Sequence, residues 1–262
     1  MPPFKTEAVI LRSTDFQERD RLVVFFSDGL GKMRGVAKGA KRSRRRFGAN
    51  LDLLAHVRIQ GFERPHQDLV RIEGADLLEY FEGIRRDLTG FALGCYLAEW
   101  VDGCTAERQP IPKLLPLVLW VLSSLDAGEE GEGLLRIFEA KVLDLVGYRP
   151  ELRRCVACGA ELQRSSRVVV QVGRGGALCH RCAGGVKDGL VVSMGTLRIL
   201  EDARKLDLDR LHRIAFSSEA LVESRALLRA FYAYHVGRQL RSASFLESLE
   251  GHGGRLQPGP LA

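Results

Sequence analysis

Along the first eighty positions apolar residues come in short runs between turn-forming residues, and over Lys32 to Lys38 smaller or apolar residues alternate with basic ones as in a half-exposed strand. Five such runs, Glu7 to Ser13, Arg21 to Ser27, Lys32 to Ala37, Ala55 to Gly61 and Leu69 to Asp76, are short and bounded by turn-forming residues such as Ser27-Asp28-Gly29. Five short strands in so few residues predict a small closed barrel of the OB type, a fold that binds oligonucleotides on one face. After Tyr80 the period changes to three and four. Leu88, Phe91, Ala92, Leu93, Cys95 and Leu97 fit a helical face, and Leu134 to Val146 repeats the pattern until Gly147 and Pro150 end it. The longest apolar stretch, Leu114 to Leu122, is broken by Pro116 and too short for a bilayer, so no membrane span is expected. Asp126 to Gly133 (DAGEEGEG) has no apolar anchor and reads as a mobile loop. Ser193 is placed to cap a helix over Leu197 to Leu206, and Ser218 a longer one through Gln239.

Between the helical stretches lies Cys155-x-x-Cys158, then Val168 to Val172 as a strand, Gly173-Arg174-Gly175-Gly176 as a turn, and Cys179-x-x-Cys182. Two close thiol pairs at this separation match a four-thiolate zinc site, each pair on a tight turn with Gly159 supplying a permissive backbone after the first. Two disulfides are the alternative and need an oxidising compartment; a redox Cys-x-x-Cys does not call for two matched pairs. His180 could stand in for one thiolate, although four sulfurs already fill a structural tetrahedron. Cys95 and Cys104 sit in the apolar helical pattern as core residues. The predicted fold class is α+β and multi-domain: an N-terminal OB-fold barrel over 1–80, a helical domain over 81–150 continued by 190–248, a zinc ribbon-like module with four cysteines over 151–189, and a disordered tail over 249–262. No secretory leader is read at the N-terminus, which suits a cytoplasmic protein.

Charge changes the picture in one place. Lys32 to Arg46 (KMRGVAKGAKRSRRR) holds eight basic residues and no acidic one; since the 262-residue chain is net +6, everything outside the segment sums to about −2. A concentrated basic run on a mildly acidic chain points to a phosphate-docking surface rather than to general solubility. The candidate DNA contacts are therefore Lys32, Arg34, Lys38, Lys41, Arg42, Arg44, Arg45 and Arg46, the first half on a strand and Lys41 to Arg46 on a loop. A solvated arm or localisation tract is the plainer reading of such a run. Gly35 and Gly39 would let a backbone approach closely. Phe16, Phe47 and Phe62 are candidates for stacking on bases, and of the adjacent Phe25 and Phe26 at most one is expected to point inward; ordinary core packing is the plainer reading of each, and the favoured one for Phe25 and Phe26.

Catalytic patterns fail. Gly29-x-Gly31-Lys32 lacks the spacing and hydroxyl of a P-loop, and no His-Glu-x-x-His occurs. Asp15, Glu18, Asp20 and Asp28 could be drawn as a nuclease metal cluster, but they alternate with Arg19 and Arg21 like surface charges.

Lys5 to Leu11 (KTEAVIL), Asp20-Arg21-Leu22, the turn into Gly31-Lys32, and Lys38-Gly39-Ala40-Lys41-Arg42 leading to Arg46-Phe47 strongly resemble the bacterial DNA repair and recombination family RecO. The resemblance extends over nearly the whole chain, including Gly147-Tyr148-Arg149-Pro150 before the first cysteine pair and the four-cysteine module, which not every member retains. It implies a non-enzymatic protein that binds single- and double-stranded DNA and anneals complementary strands. It further implies association with RecR, help in loading RecA onto DNA coated by single-strand DNA-binding protein, and, in some members, capture of that protein's acidic tail by the helical domain. An adaptor whose basic segment grips such a tail, with DNA secondary, is the competing reading. The zinc would then staple the C-terminal part, with Arg174 and Arg181 adding minor phosphate contacts.

Overall fold

The computed structural model describes residues 2–43, 46–63, 67–162 and 167–253, the last four as backbone only. Strands β1 (Pro3–Phe16), β2 (Asp20–Ser27), β3 (Gly31–Ala37), β4 (His56–Phe62) and β5 (Val70–Glu79) close a barrel in the order β1-β2-β3-β5-β4. Only β3 and β5 run parallel, over Gly35–Ala37 against Val70–Ile72; the other pairs are antiparallel. This is the five-stranded OB architecture that the five short strands predict. The fourteen-residue β1 pairs with β2 on one side and β4 on the other, and its register with β2 shifts between Ile10 and Arg12, the irregularity that lets a long strand curl.

Both faces of β1 and β2 are apolar, for a reason. Ala8, Ile10, Val23 and Phe25 fill the barrel, while Val9, Leu11, Val24 and Phe26 turn outward into a second core shared with the helices. Of the adjacent pair Phe25 alone points into the barrel, as adjacency along a strand requires, and Phe26 is equally buried because it faces the helices. A strand with cores on both sides has no exposed face. Phe47 is 1% exposed inside the barrel, so it is a core residue and no stacking platform.

A short helix, α1 (Glu82–Arg86), leads into α2 (Leu88–Cys104), α3 (Leu114–Asp126) and α4 (Gly131–Leu145). Pro116 does not break its apolar stretch because it falls in the first turn of α3, where backbone amides have no intrahelical partner. The loop expected over Asp126 to Gly133 shrinks to 127–130, and the first turn of α4 is tight against α2: a Cβ on Gly131 would stand 2.3 Å from Leu93 Cδ1. The centre of the helical core is Trp100, packed on Tyr232 (ring centroids 4.6 Å apart), Tyr96 and Phe138.

The cysteine module is built on β6 (Arg167–Gln171), β7 (Gly176–Leu178) and the four-residue helix α5 (His180–Ala183), and β8 (Leu190–Ser193) adds to the far edge of β6. Then α6 (Met194–Lys205) is capped by Ser193, whose hydroxyl accepts from the Thr196 amide at 3.2 Å. The cap of α7 (Ser218–Val236) is Ser217 rather than Ser218, and the helix stops at Gly237 with φ 72° instead of reaching Gln239. A last helix, α8 (Arg241–Gly253), is held by Glu99 of α2, whose carboxylate accepts from the amides of Arg241 and Ser242 at 3.0 and 2.9 Å. The expected disordered tail from 249 is therefore helical to Gly253; 254–262 lie outside the described residues. No helix among the described residues is long and apolar enough to cross a membrane.

Candidate nucleic-acid interface and metal centre

Residues far apart in sequence meet at the cysteines. Glu151 and Val156 hydrogen-bond along β7 (Glu151 N to Gly175 O 2.9 Å, Val156 N to Ala177 O 2.9 Å), which lays the first thiol pair beside the second. The first turn closes with Gly159 N to Cys155 O at 2.8 Å, and φ 73° at Gly159 is a conformation a side chain would resist. The second pair brackets the start of α5, with Ala183 N to Cys179 O at 2.9 Å. All four thiols are free, and their sulfurs lie within 4.8 Å of one another. Cys158 and Cys179 sulfurs are 3.8 Å apart. Four thiolates around one ion at ~2.3 Å stand about 3.8 Å apart, so the four could hold a metal ion. Burial alone would raise the Cys155 thiol pKa, but the amides of Cys179, Ala157 and Cys158 outweigh it and bring the pKa down to about 6. Amides that favour thiolate are what a cation between four sulfurs requires. His180 is exposed and stands outside this set.

Contiguous in sequence, the basic run is divided in space. Lys32, on β3, turns toward α2: its Nζ lies 3.1 Å from Asp102 Oδ1 with a side chain 11% exposed, and Arg12 pairs with the same carboxylate. Burial alone would raise the Asp102 pKa; the Lys32 and Arg12 charges hold it below the usual carboxylate value. Arg34 is paired with Glu107 at 2.7 Å. The segment between α2 and α3 lies along this strand, with Arg108 N donating to Lys32 O at 2.9 Å and Gly31 so close beneath Gln109 that a Cβ would meet its carbonyl at 2.3 Å. The expected phosphate contacts at Lys32 and Arg34 are therefore ion pairs between barrel and helices.

From Lys38 onward the described cations face outward. Lys38, Lys41, Arg42 and Arg46 are exposed. Arg46 braces the loop by donating to Ser43 Oγ (3.1 Å) and Lys38 O (3.2 Å), and its guanidinium lies 5.1 Å from the Phe47 ring centroid. Lys41 reaches Asp15 at 2.8 Å. Arg44 and Arg45 lie outside the described residues. The loop is stitched to the β1–β2 turn by Gly39 N to Asp20 Oδ1 (2.8 Å) and Lys41 N to Arg19 O (3.1 Å). Positive φ at Gly39 (67°) gives the turn that starts it.

Three of the four acidic residues of the nuclease reading are engaged in such contacts. Asp15 pairs with Lys41, Asp20 holds the Gly39 amide, and Asp28 caps α3 by accepting from the Leu115 amide at 2.9 Å. Among the described residues only the four cysteines form a grouping of three or more His, Cys, Asp or Glu able to hold an ion. Phe62 is exposed and Phe16 half-buried.

The family model described as Recombination protein O N terminal matches residues 1–81, the barrel, and the one described as Recombination protein O C terminal matches residues 85–244, the helices and the cysteine module. The chain belongs to the RecO family. It is 37% identical to the DNA repair protein RecO of Geobacter metallireducens over 251 residues, 95% of this chain and 99% of that one. It is 34% identical to the protein of the same name from Symbiobacterium thermophilum (95% and 98% covered) and 31% identical to that from Syntrophus aciditrophicus (95% and 97% covered). Membership of RecO supports a role in DNA repair and recombination. Two features of this RecO chain escaped the sequence reading: a small cavity beside the basic loop, lined in part by Phe16 and Arg71, and a cleft of about 1020 Å³ between the first cysteine turn and α6, where Arg149, Arg153 and Arg198 face Glu151 and Asp202. Neither is contiguous in sequence, so no local pattern marks them.

Proposed function

We propose that this chain is a non-enzymatic recombination mediator. It binds single- and double-stranded DNA through the exposed part of its basic run, anneals complementary strands and, with RecR, helps load RecA onto DNA coated by single-strand DNA-binding protein, whose C-terminal tail it also contacts. It acts in the bacterial cytoplasm at the nucleoid. The observation that carries the DNA reading is the loop from Lys38 to Arg46, projecting from the end of an OB barrel with its described cations exposed. Cations that touch phosphates without reading base edges can hold two strands that would otherwise repel each other while pairing is tested.

The four thiols hold zinc in this reading. Four sulfurs leave the ion no open position for water, so it ties the two turns together and activates nothing. Its folding role fits a place in the chain far from the basic loop.

The division of the basic run sets a number. With Lys32 and Arg34 occupied, six cations remain (Lys38, Lys41, Arg42, Arg44, Arg45, Arg46), so log K for a single strand should fall with log salt at a slope of at most about −4, where all eight would give nearly −6. Replacing Arg42, Arg44, Arg45 and Arg46 by Ala should weaken binding and flatten the slope by about 3. An unchanged slope would take the loop off the DNA surface. Loss of binding to an acidic tail peptide, with DNA binding intact, would instead favour the adaptor.

A further inference from the structure

Between the β1–β2 turn and the start of β5, beside the basic loop, the barrel wall opens into a cavity of about 170 Å³. Phe16, half-buried at the end of β1, and Val36 of β3 supply apolar walls, and Gln17 and Gln67 are polar members of the lining. Lys38 and Arg71 bring positive charge to the same opening, Arg71 paired with Glu73, and the one acidic member of the lining, Asp20, is engaged by the Gly39 amide. Lys38 is the important member, because it belongs both to this lining and to the exposed basic loop.

The cavity is a consequence of the fold. β3 and β5 are paired over only three residues each, and β5 begins at Val70, so the wall is thin next to Val36. On the other side the chain reverses at Gln17 with φ 53°, a left-handed conformation. That turn is fastened to the loop by the Asp20–Gly39 and Arg19–Lys41 hydrogen bonds, so cavity and basic loop keep a fixed relation.

Size and chemistry together choose the ligand. Sites that enclose a whole small molecule run to roughly 300–1,000 Å³, and 170 Å³ falls below them while suiting one ring system. An aromatic wall, two glutamines in the lining, and cations at the mouth describe the surroundings of a base whose phosphate is held outside. We propose that this cavity takes one unpaired nucleobase of a single strand whose backbone lies on the basic loop, with Phe16 as the stacking wall. The proposal rests on the DNA reading above and adds to it a preference: a paired base cannot enter without leaving its duplex.

The test compares wild type, Phe16→Ala and Val36→Phe, the last filling the cavity without removing a wall. Each is titrated across salt with oligothymidylate, with an abasic phosphodiester of the same length, and with a duplex of matched phosphate number. The wild type should bind oligothymidylate about 5- to 150-fold tighter than the abasic chain, at the same salt slope, since stacking on one base is worth that much. In both variants this advantage should vanish, with duplex affinity and all salt slopes retained, which also certifies that the barrel has folded. Equal wild-type affinity for thymidylate and abasic chain, with the predicted slope, overturns the cavity alone. So does an advantage that survives in Val36→Phe, or a variant that loses duplex and single strand together. Failure of the wild type to bind all three would remove the DNA reading and the cavity with it.

Discussion

Two clusters of like side chains stand out in this sequence, and folding treats them in opposite ways. The cysteines, twenty-one residues apart at their inner ends, converge until their sulfurs lie within 4.8 Å. The cations, confined to fifteen consecutive positions, diverge: Lys32 and Arg34 turn into the helical domain, while Lys38, Lys41, Arg42 and Arg46 are exposed. Thiol spacing encodes convergence because each close pair must sit on one turn and both turns must meet one ion. A run of charge encodes no such meeting. It lies across a strand and a loop, and each side chain finds whatever faces it.

The largest effect should come from undoing the convergence. With zinc bound as proposed, stripping it, or changing Cys155 to Ala, removes binding free energy that in isolated zinc modules is ~10 kcal/mol or more and is spent on folding. Hydrogen exchange should then show residues 151–189 losing protection, while the barrel stays protected and the DNA salt slope stays where it was. A variant that folds normally but no longer binds DNA would make the cysteine module, and not the loop, the reader.

How much was legible follows from the same contrast. Short runs bounded by turn residues located all five barrel strands, and thiol spacing located the four sulfurs that could hold an ion, because both are short-range patterns with one geometric solution. What escaped depended on partners distant in sequence. That Phe26, pointing away from the barrel, meets a second core built by the helices is something no pattern within β2 announces. Pro116 reads as a breaker until the helix start is known to lie two residues before it. Lys32 reads as a phosphate contact until Asp102, seventy residues on, is seen beside it.

Lys32 gives the next largest expected effect, and one that separates the two halves of the basic run. Changing Lys32 to Ala leaves the Asp102 carboxylate, 13% exposed, with Arg12 as its remaining ionic partner, and should cost about 1–3 kcal/mol in denaturant unfolding. The salt slope for DNA should not move. The cost is also pH-dependent with a fixed sign. Asp102 has a folded pKa below the ordinary carboxylate value, so its stabilising contribution is complete at neutral pH and is lost as pH falls through that lowered pKa. The gap between wild type and Lys32→Ala should therefore be full at pH 7 and close in strong acid. A gap that instead persisted unchanged into strong acid would mean that Lys32 acts by packing alone.

Arg34 should show the smallest effect, and it tests whether a committed cation can be released. Its pair with Glu107 is about 40% exposed on both sides, so Arg34→Ala and Glu107→Gln should each change stability by less than about 1 kcal/mol. The DNA response to Glu107→Gln is the more instructive measurement. Neutralising Glu107 frees a positive charge, yet the segment carrying it is held on β3 by backbone contacts that the substitution leaves alone, the Arg108 amide on Lys32 O and the close seat of Gln109 over Gly31. The salt slope should thus steepen by less than the ~0.7 that one added phosphate contact brings. A full extra contact would show that the ion pair, rather than the backbone around it, keeps this half of the basic run away from DNA.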